Sequence, residues 1–218
     1  MDIHKPKPWH GVREFLKEYV IIVVGVLTAL GGEQVVEWAH RQTEVAEARE
    51  ALHAELAANG RTGRFVGVEV GCLAEQLDAY DAWAKGGPHP GEIRGVFPAF
   101  ASSTWDIVKS GAVPHMPLKE RLAYSRYFDS VGNSGYGIET SRNIYLRLNG
   151  LSKHDGLSPE EVRRLVEDLS QARLIGRVRA INAAGLVDAA NALGVSPAPY
   201  TDSGKATLTR VCGRPFNG

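Results

Sequence analysis

Hydrophobic and polar positions divide the chain into two regimes. Residues 19–32 are uncharged and mostly apolar, with Lys5, Lys7, Arg13 and Lys17 ahead of them. Beyond that block, apolar residues recur every three to four positions, the period of an amphipathic helix. Residues 44–58 are rich in Ala, Glu, Leu and Arg, all strong helix formers. The block is therefore expected to run on into one helix of about 45 residues, stopping at Asn59-Gly60. A second helix is expected over 63–84, with Phe65, Val68, Cys72, Leu73, Leu77 and Tyr80 on one face. Val66-Gly67-Val68-Glu69-Val70 imitates strand alternation, but its continuation at helical spacing makes helix the better reading.

Gly86-Gly87-Pro88-His89-Pro90-Gly91 ends that helix and opens an irregular loop to about Ala101. Ser102, Ser103 and Thr104 offer caps for a short helix over 105–110 that buries Trp105, Ile107 and Val108, and Gly111 closes it. A further helix opens at Pro117 and reaches Leu148, striped by Leu122, Tyr127, Val131, Ile138, Tyr145 and Leu148. Gly132, Gly135 and Gly137 weaken it by about 1 kcal/mol each relative to alanine and invite a kink. Ser158, Pro159 and Glu161 form a capping box for the last helix, which stops at Gly194. The fold class is all-α: an N-terminal transmembrane helix continuing into a long helix, then an antiparallel helical bundle. The expected division is an N-terminal segment 1–14, a membrane helix 15–38, a bundle 39–195 and a C-terminal tail 196–218.

Length arithmetic limits the membrane reading. Fourteen helical residues rise about 21 Å, short of the roughly 30 Å hydrocarbon core. Extension to residues 15–36 reaches about 33 Å and takes in Lys17, Glu18 and Glu33 near the ends, where long side chains snorkel. Tyr19 and Trp38 sit where an aromatic belt would place them. Two alternatives stay open: a cleaved signal, since Ala29-Leu30-Gly31 has a small-x-small pattern, and a core helix of a soluble protein. As an anchor, the positive-inside rule puts the amino terminus in the cytoplasm and everything after about residue 38 outside, which in a bacterium is the periplasm. The expected location is thus the bacterial inner membrane, with the lipid bilayer as first partner.

Glu18-Tyr19-Val20-Ile21-Ile22-Val23-Val24-Gly25-Val26-Leu27, followed by an acidic Ala/Leu-rich helix, resembles an uncharacterised bacterial family of small membrane-anchored helical proteins. The central Thr104-Trp105-Asp106-Ile107-Val108-Lys109-Ser110-Gly111 matches that family's Thr-aromatic-x-x-x-Lys-Ser-Gly element. The likeness covers about the first 58 residues and 102–128. The family's Gln-Ile-Asn-Asn-Trp after the anchor is replaced here by Gly32-Glu33-Gln34-Val35-Val36-Glu37-Trp38. The resemblance implies topology and an all-helical fold; it implies no activity.

Charge adds an exclusion. Lys plus Arg and Asp plus Glu stand at 25 each in 218 residues, with the basic ones scattered, so nucleic acid is not an expected partner. Cys72 and Cys212 pair if the domain faces an oxidising compartment and are otherwise buried thiols. Gly132-Asn133-Ser134-Gly135-Tyr136-Gly137 and Ser203-Gly204-Lys205-Ala206 lack the spacing of phosphate loops, and the seven histidines show no metal-ligand arrangement. No cofactor is expected. Gly25, Ala29 and Gly32, with Thr28 adjacent, share one helix face and suit close packing of two membrane helices, in a homo-oligomer or with another membrane protein. Lys109 and Ser110 have an anion-binding reading beside a structural one, and Tyr124, Tyr127, Tyr136 and Arg142 are candidates to line a ligand site between helices. The function expected is a non-enzymatic, membrane-anchored interaction or accessory subunit, with a small-molecule-binding, sensor-like bundle as the alternative.

Overall fold

The computed structural model describes residues 11–216, with the side chain of Tyr136 outside the description. Lys5, Lys7 and most of the expected N-terminal segment therefore lie outside the described residues. The described chain is all-helical. Helix α1 spans Val12–Ala84, α2 Ser103–Val108, α3 Leu118–Leu151, α4 Pro159–Ala192 and α5 Asp202–Cys212, with a short 3-10 turn at Val113–His115. The chain divides into two compact units, Met1–Glu47 and Ala48–Gly218.

In the first unit, α1 exposes Phe15, Leu16, Val20, Ile21, Ile22 and Leu27, among other large apolar side chains. None of its most apolar 18-residue window is buried. That burial pattern is the reverse of a soluble core helix, and by length and composition the segment is able to cross a bilayer. The Thr28 hydroxyl donates to the Val24 carbonyl at 2.8 Å, so its one polar group is satisfied within the helix.

In the second unit, α1 continues through Asn59-Gly60 without the expected break. Tertiary contacts override the local stop signal. Asn59 is 2% exposed; its amide donates to the Ala101 carbonyl and accepts from the Ala101 N–H, both at 2.8 Å. Gly60 lies against Pro197, where a Cβ would come within 3.0 Å of backbone. One turn later a Cβ on Gly63 would meet the Ala183 carbonyl at 2.9 Å, so glycine lets α1 and α4 approach. The helix ends instead at Gly86, φ 89°. Gly86 N–H bonds the Trp83 carbonyl at 3.0 Å and Gly87 N–H the Ala82 carbonyl at 2.9 Å, the paired closure of a Schellman cap.

Residues 85–102 form an extended strap that runs back along α1. Polar side chains of α1 and α3 satisfy its backbone in turn. Tyr80 Oη donates to Gly91 at 2.8 Å, and Asn149 of α3 brackets Ile93 at both N–H and C=O, 2.7 and 3.1 Å. Gln76 Oε1 accepts from Arg94 N–H at 2.8 Å, Glu69 Oε1 from Val96 N–H at 2.7 Å, and Asn59 holds Ala101. Beyond the strap, α2 has no side-chain cap of its own. Glu55 of α1 supplies one, accepting from the Thr104 and Trp105 N–H groups at 3.3 and 3.2 Å.

Around this spine the core gathers Leu73, Leu77, Tyr80 and Trp83 from α1 and Ile93 from the strap. Helix α3 contributes Ile144, Tyr145 and Leu148, and α4 contributes Leu165, Leu169 and Ala172. Helix α3 passes Gly132, Gly135 and Gly137 unbroken, and its buried stripe differs from the expected one. Leu122 is 46% exposed, while Tyr124 and Phe128 are buried. Arg147 of α3 grips Asp168 of α4 through Nε, 3.1 Å to each carboxylate oxygen. The capping box at Ser158 and Glu161 is complete.

The segment read from sequence as tail carries α5. Thr201 caps it, accepting from Gly204 N–H at 3.0 Å, and Leu208 and Val211, three apart, are buried. Cys72 and Cys212 are joined as a disulfide, Cα–Cα 4.9 Å. Gln76 Nε2 donates to the Val211 carbonyl at 2.9 Å, and Arg214 forks onto Glu75 at 2.8 and 3.1 Å. Gln76 thereby ties strap and α5 to the same turn of α1.

Two stability outcomes are expected. Asn59→Ala strands both polar groups of Ala101 and should cost about 2–4 kcal/mol in denaturant unfolding; an unchanged unfolding midpoint would contradict this pairing. Removing the disulfide as Cys72→Ala/Cys212→Ala should cost about 2–4 kcal/mol and expose α5 to protease first, whereas an unchanged digestion pattern would show that α5 is held by its other contacts alone.

Candidate functional site

The candidate residues read from sequence do not assemble into one site. Lys109 pairs with Asp106 at 2.7 Å on the surface, Ser110 is exposed, and Ile107, expected in the core, is 77% exposed. Trp105 stacks on Phe128 with ring centroids 5.0 Å apart, so the element docks α2 onto α3. Tyr124 and Tyr127 are buried core residues whose hydroxyls burial pushes up to about 12. Arg142 lies on the exposed side of α3, about 27 Å along the helix from Tyr124 at the usual rise. Tyr136 lies on the same helix, its side chain outside the described residues.

Among the described residues, His40, His89 and His154 have local partners. His89 Nε2 donates to the Ser152 carbonyl at 2.6 Å while its Nδ1 accepts from Gly91 N–H at 3.2 Å, which fixes one neutral tautomer. Among the described residues no three His, Cys, Asp or Glu side chains converge on a metal position. Gly25, Thr28, Ala29 and Gly32 all lie exposed on α1, and a Cβ at Gly25 or Gly32 would meet nothing within 4 Å.

The structure draws attention to a place the sequence reading passed over. Glu69 of α1 is fully buried and Arg179 of α4 is 7% exposed. Arg179 Nη2 donates to Glu69 Oε2 at 2.9 Å, and the other carboxylate oxygen holds the strap at Val96. The guanidinium lies over the Phe97 ring, 5.1 Å from its centroid. Burial raises the Glu69 carboxyl above its ordinary range, opposed by Arg179 and by the Val96 N–H. Tyr145, close to both charges, is pushed up to about 12, again chiefly by burial.

Above this pair opens a cleft of about 230 Å³. Its walls are Ile138 of α3, Leu174 and Val178 of α4, Val66 of α1, and Pro98 and Phe100 of the strap. Arg179 reaches the lining, and the remaining polar groups there, Asn133, Ser134, Thr140 and Asn182, are uncharged. Leu174 and Val178 remain 55% and 46% exposed at its mouth. The α3 wall is the glycine-rich turn. A Cβ at Gly132 or Gly135 would touch nothing within 4 Å, so packing among the described residues does not call for glycine there.

A second, shallower cleft of about 450 Å³ involves Arg49, His53, Lys119, Glu120 and Tyr124. Its strongest charges satisfy each other, Arg49 forking onto Glu120 at 2.6 and 2.9 Å. That hydrogen bonding holds the Glu120 carboxyl below its ordinary range. The Tyr124 hydroxyl lies beside Glu120 without reaching hydrogen-bond geometry.

No family model, curated protein or solved structure matches this chain.

For the buried pair, Arg179→Met alone leaves Glu69 buried without its partner and should cost about 3–5 kcal/mol. Glu69→Leu/Arg179→Met removes both charges and should recover at least half of that loss in a denaturant double-mutant cycle. A double variant that loses the sum of the two single losses would show that the two charges are not coupled.

Proposed function

We propose that the chain is a single-pass membrane protein that presents a disulfide-stapled helical domain in an oxidising compartment, where it serves as a non-catalytic interaction or accessory subunit. The observation that carries this reading is the unburied apolar stretch of α1, which is unfavourable in water and which a bilayer would cover. Arg13 and Lys17 precede the stretch, while Glu33 and Glu37 follow it. By the positive-inside rule the amino terminus faces the cytoplasm and the bulk of the chain the bacterial periplasm. The Cys72–Cys212 bond suits that compartment. The docking of α3 against α4 by Arg147–Asp168 near one end, and by the Gly137 region against Arg179 further along, supports an antiparallel bundle. Membership in the uncharacterised family of anchored helical proteins is part of the same reading.

A reporter active only in the periplasm, fused after Gly60, should be active and sediment with membranes. A soluble or cytoplasmic product would overturn the anchor.

Gly25, Ala29 and Gly32 give the membrane segment a small-residue face on which a second copy packs closely. Gly25→Ile/Ala29→Ile should reduce the assembly to monomer in detergent; an unchanged oligomer size would remove this interface.

The cleft over Glu69–Arg179 favours a second reading, a ligand-binding bundle, because apolar walls with a few convergent polar groups are the usual form of a small-molecule site.

A further inference from the structure

The chemistry of that cleft is specific enough to name a ligand class. Its fixed charge is zero, because Arg179 is neutralised by Glu69 and every other polar lining group is uncharged. An anionic ligand would bring an uncompensated charge beside a buried carboxylate, and a cationic one would face the guanidinium. Either arrangement costs more than an apolar body of this size regains. Arg179 engages Glu69 through Nη2. A guanidinium carries five N–H donors, and among the described residues no other acceptor is bonded to this one. One neutral acceptor, such as an amide, ester or lactone carbonyl, would find its donor in Arg179 of the lining.

Size follows from comparison. An engineered apolar cavity of about 150 Å³ holds benzene, so about 230 Å³ holds a molecule half again as large, roughly nine or ten heavy atoms. One wall of the cleft is the turn with Gly132, Gly135 and Gly137, intrinsically the weakest of α3.

We propose that the cleft lined by Ile138, Leu174, Val178 and Phe100 binds an uncharged, mainly aliphatic small molecule, whose carbonyl accepts from Arg179. The proposal rests on the ligand-binding reading and is independent of the anchor.

Matched probes test it: octanamide and octanoate share a chain and differ in charge. Equilibrium dialysis uses the full chain in lipid nanodiscs, with empty nanodiscs subtracting lipid partition. If the chain stays outside the discs, the dialysis is run on the chain in buffer, so loss of the anchor and loss of the site register separately. Octanamide should be retained saturably, with octanoate at least tenfold weaker. Val178→Glu, at the exposed mouth and outside the core, should abolish the retention. Glu69→Gln unmasks the Arg179 charge and should narrow or reverse the preference. No saturable octanamide retention, octanoate binding as tightly as octanamide to the unaltered chain, or undiminished binding by Val178→Glu would overturn the proposal.

Discussion

A peptide group removed from water without a partner costs about 1–3 kcal/mol, and residues 85–102 cross the face of α1 with neither helix nor sheet to satisfy them. The fold is built on the answer to that constraint. Glu55, Asn59, Glu69, Gln76 and Tyr80 fall on one stripe of α1, and each meets a backbone group of the strap or of α2. The stripe spends polar side chains where an ordinary bundle helix would place Leu or Val. In return the strap becomes a packed layer: it delivers Ile93 to the core and Phe97 to the ring contact with Arg179.

The same stripe positions the site. Glu69 bonds the strap with one oxygen and Arg179 with the other, so strap, α1 and α4 are fixed relative to one another at a single carboxylate. A hydrophobic pair would pack there at lower desolvation cost. The charged pair instead brings Arg179 into a lining that is otherwise uncharged and mainly apolar, an arrangement suited to orienting a ligand. The apolar stretch of the first unit is a separate matter. Its exposed face is the basis for proposing a bilayer around it.

Local signals were legible where local chemistry decides the outcome. Ser158, Pro159 and Glu161 specify the start of α4, and Gly86-Gly87 the end of α1, because the partners lie within a few residues. The break expected at Asn59-Gly60 failed for the opposite reason. Those residues serve Ala101 and Pro197, about 40 and 140 positions away in sequence, and no local rule sees them. Helix α5 was hidden by the flanking Pro197, Pro199 and Pro215 and by its dependence on Cys72 and Gln76, although Thr201 with Leu208 and Val211 carried a short amphipathic signal. Glu69 had a signal too, as the one charge in the Val66–Val70 run. Arg179 had none, since an arginine on a helix is ordinarily a solvated residue. Tyr124 and Tyr127 read as ligand groups because tyrosine serves both roles; burial assigned them to the core.

Native-state hydrogen exchange of the strap amides tests the central claim most directly. Ile93, Arg94, Val96 and Ala101 donate to Asn149, Gln76, Glu69 and Asn59. The account predicts protection of these four amides approaching that of the core turns of α1. Exchange at the rate of an open loop would mean that the polar stripe of α1 does not hold the strap, and that the cleft lacks one of its walls.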